Sequence, residues 1–170
     1  MSHLPKFEDL DAYYPFISDP QEVIRDINPA YCNNPDYANT CAMRISKSLN
    51  YCSGNEIPRL KTLLTIPGVD KKRYAVRVSE LKKYMLSKYG APMVLNASPT
   101  GVIDNSPIQA KQGIIAFDVA GWTDASGHFT LWNGTELVYA GGHDYFNLYH
   151  TFDNGKTLRV TKCSFWQCPA

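Results

Sequence analysis

Two side chains in this chain can form a nucleophile and its base, Cys41 and His128. A thiolate attacks carbonyl carbon far better than a thiol does, and a helix N-terminus or a nearby imidazole favours it. Cys41 falls at the first turn of a predicted helix, where backbone N–H groups have no intrahelical partner. Those groups can also donate to an oxyanion that develops during acyl transfer. His128 falls within a predicted strand, preceded by Gly127 and followed by Phe129, and a strand holds a base rigidly. Taken alone, a cysteine on the apolar face of a helix is usually a small buried hydrophobe. A lone strand histidine is usually core or surface.

The elements that must position this pair follow from spacing. Asp19-Pro20-Gln21-Glu22-Val23-Ile24-Arg25-Asp26 reads as a short helix with Asp19 as N-cap and Pro20 at the first helical position. Residues 29–40 read as a loop rich in Asn, Pro, Asp and Tyr. A second helix is predicted over about 41–51. Asn39 or Thr40 can cap it, and Cys41, Ile45, Leu49 and Cys52 share one face. A third is predicted over about 80–89, with Ser79 as cap and a Leu81, Met85, Tyr89 stripe. Residues 55–78 and 96–109 read as irregular, punctuated by proline and glycine. The pattern then changes period. Gly113–Val119, Gly127–Trp132, Glu136–Tyr139 and Thr157–Lys162 read as strands, and Asn133-Gly134 as a turn. Helices first and antiparallel strands second give an α+β fold, with helices on one face of a central sheet. The expectation is one domain over 1–170, helical over about 1–95 and sheet-forming over about 110–165.

Composition narrows the function. With 170 residues, 44% apolar and 19% charged, the chain can bury a core. The formal net charge of +1 argues against an electrostatic grip on nucleic acid or an anionic membrane. No apolar run approaches the roughly 20 residues of a membrane helix. Residues 1–10 lack the apolar stretch of a signal peptide. Five cysteines leave an odd thiol. Cys163 and Cys168 have a spacing permissible for a zinc half-site, but no second half-site has ligand-like spacing. No metal or cofactor is therefore expected. His3, His143 and His150 are expected on the solvent side. Trp122, Trp132 and Trp166 are candidates for groove lining or for packing. Arg44, one helical turn from Cys41, is a candidate for a substrate carboxylate or for the surface.

A cysteine on an early helix followed by a histidine on a sheet strand is the order of papain-fold hydrolases. The words around the pair are more specific. Asn39-Thr40-Cys41-Ala42-Met43-Arg44-Ile45-Ser46 and Gly127-His128-Phe129-Thr130-Leu131-Trp132-Asn133-Gly134 resemble the type VI secretion amidase effectors of the fourth family. The opening Phe7-Glu8-Asp9-Leu10 to Tyr14-Pro15 and the ending Ser164-Phe165-Trp166 resemble it too. The resemblance implies an NlpC-like, papain-like fold with Cys41 as nucleophile and His128 as general base. It implies cleavage of the D-glutamyl–meso-diaminopimelate bond in stem peptides of Gram-negative peptidoglycan. It implies injection from the producer cytoplasm into the periplasm of a rival by the type VI machinery, and a cognate immunity protein as inhibitor.

The family places an aspartate after the histidine strand, and here that position falls near Gly142. Asp144 is the first candidate to accept the second N–H of the His128 ring, with Asn133 and Glu136 behind it. If the protein works in an oxidising periplasm, a Cys163–Cys168 disulfide is expected, and Cys32 and Cys52 are left to pair. Cys41 must then be the free thiol, reactive below the roughly 8.5 of an ordinary thiol. Two other readings stand beside this one. They are a non-catalytic cell-wall or partner-binding module on the same fold, and a phage or self-lytic peptidase of the same superfamily.

Overall fold

The computed structural model describes residues 2–122 and 127–170. It holds four helices, α1 (Phe7–Tyr13), α2 (Pro20–Ile27), α3 (Cys41–Asn50) and α4 (Val78–Tyr89). A small hairpin pairs β1 (Thr65–Pro67) with β2 (Arg73–Ala75). The main sheet holds β3 (Met93–Asn96), β4 (Gly113–Ala120), β5 (Gly127–Trp132), β6 (Tyr149–Thr151) and β7 (Thr157–Gln167). Its order is β3-β7-β4-β5, all antiparallel, and β6 pairs with the first residues of β7. This is the α+β arrangement expected, and it is papain-like.

Alternation along the strands divides the core in two. Ile114, Ala116, Phe129, Leu131 and Trp166 face α1, α3 and α4 and pack with Leu10, Ile45, Leu49, Leu81 and Met85. Ile115, Phe117, Trp132, Val160 and Phe165 face the opposite way. That second face is covered by irregular chain, through Ile103, Ile108, Tyr145, Phe146 and Leu148.

α3 is the central helix, buried at nine of its ten positions. Two of its polar side chains tie it to the chain that follows. Ser46 Oγ accepts the Ala75 N–H at 2.9 Å, and Asn50 takes the Ile57 N–H at 2.8 Å and donates to Arg73 O at 2.6 Å. These bonds hold the chain after α3, including the hairpin, in a region where turn-rich sequence predicts no strands. The strands β3 and β6 also go beyond the expectation. β7 runs on to Gln167, because its second half lies between β3 and β4.

Residues 136–139 are not a strand. Only Leu137 pairs with Trp132, as an isolated bridge. Val138 N–H still reaches Leu131 O at 2.9 Å, but the next N–H, that of Tyr139, goes to the Thr130 side chain at 3.0 Å. The ribbon leaves the ladder at the place where it meets His128.

All five cysteines are free thiols. The expected Cys163–Cys168 bridge is excluded by the sheet. Cys163 belongs to the loop-side core and Cys168 to the helix-side core. Five residues of extended chain span about 16 Å, against the roughly 7 Å limit between bridged Cα atoms. Cys32 packs by α2, its Sγ 3.7 Å from Gln21 O, whereas Cys52 lies in the helix-side core.

Candidate active site

Cys41 is the first residue of α3. Thr40 makes no side-chain cap; the cap is Asn39, whose Oδ1 accepts the Cys41 N–H at 3.1 Å. α3 packs against β5, an edge strand of the sheet among the described residues. Two partners use that edge. The 136–139 ribbon takes Leu131 O, and the Phe129 N–H bonds the Cys41 sulfur. The Cys41 thiol is thus seated by two regular elements.

His128 is seated differently. It stands opposite Phe117 in the β4–β5 pairing and is 4% exposed. Its ring stacks on Tyr145, with centroids 4.6 Å apart and planes 10° from parallel. Gly141 lies against the ring, with φ at +75°. A Cβ placed there would stand 2.5 Å from His128 Cε1 and 2.8 Å from Nε2. Glycine is thus required by both backbone and space. His128 Nε2 lies 2.9 Å from the carbonyl oxygen of Tyr139. A carbonyl only accepts, so Nε2 carries the proton, and in the neutral ring Nδ1 is the free base.

Cys41 and His128 line one cleft of about 270 Å³ together with Asn39, Trp122, Tyr139, Gly141, His143 and Tyr145. Burial pushes the Cys41 thiol up to about 11, against the lowering pull of the Phe129 and Ala42 N–H groups and of Arg44. Burial likewise pushes His128 down to about 4, partly opposed by the bond to Tyr139. At neutral pH the pair is a thiol beside a neutral imidazole. Removal from water thus works against the low-pKa thiolate expected here, while the helix start and edge N–H favour it. The chemistry that fits is general-base removal of the thiol proton as a carbonyl arrives.

The remaining candidates lie elsewhere or act otherwise. The structure places Asp144 in a turn and brings Tyr139, not Asp144, to the His128 ring nitrogen. The Asp144 carboxylate accepts Phe146 N–H at 3.1 Å and Asn147 Nδ2 at 3.2 Å, closing its own turn. Asn133 Oδ1 accepts the N–H groups of Thr135 and Glu136, shaping the turn after β5. Glu136 is exposed there. The acceptor on the ring is the main-chain carbonyl of Tyr139, and a backbone group leaves no signature in residue types. A two-residue turn at Asn133-Gly134 would set Tyr139 opposite His128; the Trp132–Leu137 bridge closes a four-residue loop instead and sets Tyr139 opposite Thr130 and Gly141 opposite His128. His143 is exposed as expected, but it sits at the cleft, its ring 5.9 Å from that of Trp122. Trp132 and Trp166 are packing residues, donating to Ile108 O and Gly90 O. Arg44 is neither on the surface nor open to substrate, being fully buried. No three His, Cys, Asp or Glu side chains cluster as metal ligands would among the described residues.

A helix-borne thiol and a strand-borne imidazole opening on one cleft mark this as an α+β protein of the papain-like class. Comparison with known proteins narrows the class. Residues 37–166 match the family described as type VI secretion system amidase effector protein 4, and the chain belongs to that family. Its fold is similar to that of the type VI effector Tae4 from Enterobacter cloacae, at 28% identity and a TM-score of 0.76. The alignment covers 99% of this chain and 100% of that one. It is also similar to Tae4 in the Tae4–Tai4 effector–immunity complex of Enterobacter cloacae, at 27% identity and a TM-score of 0.77, covering 98% and 99% of the two chains. The Tae4 of Salmonella typhimurium, in the Tae4/Tai4 effector–immunity system, matches at 26% identity and 0.76, covering 98% and 100%. No curated protein matches. No helix among the described residues is long and apolar enough to cross a membrane.

Proposed function

We propose that this amidase effector is a cysteine peptidase, with residues 1–170 acting as one catalytic domain. Its substrate is the D-glutamyl–meso-diaminopimelate bond of peptidoglycan stem peptides, met in the periplasm of a target bacterium after type VI delivery. The observation that carries the reading is the shared cleft of Cys41 and His128, with Nε2 tied to Tyr139 and Nδ1 left as base. Nδ1 takes the Cys41 proton as sulfur attacks the γ-glutamyl carbonyl carbon. The same proton then passes to the departing diaminopimelate amine, and the thioester remains. Water, deprotonated by His128, releases the glutamyl acid and restores the thiol.

The Cys41 N–H is the donor nearest the developing oxyanion, but Asn39 Oδ1 holds it in the free protein. Substrate oxygen reaches it by displacing Asn39, which is exposed at the cleft.

The test is hydrolysis of purified sacculi by wild type and Cys41→Ala. Wild type should release new amine termini on diaminopimelate, and Cys41→Ala should lose at least about 10³-fold of that rate. Equal product from both would remove Cys41 from the reaction. Solved relatives include effector–immunity complexes, and the reading extends to an immunity protein that covers this cleft. Bound inhibitor should then protect Cys41 from alkylation.

A further inference from the structure

Arg44 is 0% exposed, yet none of the ion pairs among the described residues includes it. Its Nε donates to Thr40 Oγ1 at 3.1 Å, and its Nη1 donates to the carbonyls of Pro15 at 3.0 Å and Ile17 at 2.6 Å. Its Nη2 has no hydrogen-bond partner among the described residues. The guanidinium carbon lies 3.9 Å from the centroid of the Tyr139 ring. Burying a cation without a counter-ion costs several kcal/mol, and an apolar side chain of similar volume would avoid that cost. A charge kept in such a place needs a reason beyond packing.

Its surroundings supply one. Arg44 stands one turn along α3 from Cys41, and the ring beneath it belongs to the residue whose carbonyl holds His128. Tyr139 is clamped at three points. Its N–H donates to Thr130 Oγ1, which also meets Tyr14 Oη at 3.2 Å. Its ring lies under the guanidinium, and its carbonyl meets Nε2. We propose that Arg44 is a positioning residue for the reacting pair, holding the Tyr139 carbonyl on the imidazole and setting a fixed positive charge beside Cys41. This rests on the reading of Cys41 and His128 as that pair.

The charge has a definite sense. It favours the Cys41 thiolate and disfavours the His128 imidazolium. The other titratable groups facing the pair are His143 and the phenols of Tyr14, Tyr139 and Tyr145. Burial pushes the Tyr14 and Tyr145 phenols well above their usual range, so both are neutral where the enzyme works.

The test compares Arg44→Met, Arg44→Lys and Tyr139→Leu, each checked for folding by circular dichroism. Three readouts are taken: kcat and KM on a purified muropeptide, the pH profile of Cys41 labelling by iodoacetamide, and the His128 Nε2–H resonance. Arg44→Met should lose at least tenfold in kcat with KM within about twofold. At a pH below its midpoint, Cys41 labelling should slow about tenfold, which corresponds to one pH unit. Arg44→Lys should restore the labelling profile but only part of kcat, because an ammonium lacks the planar fork. Folded Arg44→Met with wild-type labelling and kcat would overturn the proposal. Should Arg44→Met not fold, Tyr139→Leu decides: reduced kcat at unchanged KM with loss of the Nε2–H resonance supports it, and wild-type values overturn it. The labelling and resonance arms need no turnover. They therefore test Arg44 even if the muropeptide is not the substrate.

Discussion

The two halves of the proposed reacting pair are held by different kinds of structure. Cys41 is placed by regular elements: the start of α3 fixes its position and the edge of β5 supplies an N–H to its sulfur. His128 starts from a strand, but its ring is aimed by irregular chain. Tyr139 supplies the acceptor, Gly141 lies against the edge of the ring and Tyr145 stacks on its face. Periodic burial can place a nucleophile, because one helix register suffices. Aiming an imidazole needs contacts from several directions, and here a ribbon leaves the sheet to provide them.

If that contrast is right, the largest loss short of removing Cys41 or His128 themselves should come from the irregular side. Gly141→Ala places a methyl within 2.9 Å of three His128 ring atoms, at a φ that L residues rarely adopt. The ring must turn, and Nε2 must leave the Tyr139 carbonyl. The expected result is a fall in kcat of at least about 10²-fold, with a stability loss of about 1–3 kcal/mol from the strained backbone. Steady-state kinetics and urea denaturation measure the two. Wild-type kcat in Gly141→Ala would mean that the ring is aimed by something else.

Much of the regular side was legible from residues alone. Asp19 caps α2 through Gln21 N–H as its position predicts, α3 starts at Cys41, and β4 and β5 fall within a residue of their expected limits. α4 starts earlier than the Ser79 cap implied, since Glu80 turns to Arg77 and to the Leu64 N–H. The irregular side was read less well, for physical reasons. The 136–139 run alternates like a strand, but the Tyr139 N–H goes to the Thr130 side chain and its carbonyl accepts from the His128 ring, and side-chain partners are invisible to periodicity. Asp144 has the right chemistry for an orienting group, yet Asn147 and Phe146 occupy its carboxylate. Arg44 reads as a surface residue because charged side chains are rarely buried unpaired.

Next in size is a pH effect confined to the imidazole. Burial holds His128 at about 4, below the 6.5 of an exposed histidine. The unfolded chain therefore binds a proton over that interval and the native chain does not. Stability is fully present above about 6.5 and is lost as pH falls through 4, by roughly 3 kcal/mol in all. Cys41 has the opposite sign: raised to about 11, it contributes stability below its unfolded value and loses it as pH rises through 11. Denaturation of wild type and His128→Gln across pH 4–7 isolates the first term. The variant should lose most of the slope, and an unchanged slope would place the titrating group elsewhere.

The smallest effect separates the two ways of orienting the imidazole. If the Tyr139 carbonyl does it, Asp144 is a turn residue whose bonds to Phe146 N–H and Asn147 Nδ2 shape the chain after Gly141 and Gly142. Asp144→Ala then removes an exposed turn cap. It should cost at most about 1 kcal/mol in stability and leave kcat within about threefold. An orienting carboxylate behaves otherwise: without it a neutral imidazole can take the wrong tautomer, and rates fall by orders of magnitude. A loss of about 10²-fold or more in Asp144→Ala, with KM unchanged, would return the role to the carboxylate and reduce the Tyr139 contact to a resting-state bond. Wild-type kcat together with an intact His128 Nε2–H resonance in the same variant would leave the backbone carbonyl of Tyr139 as the acceptor.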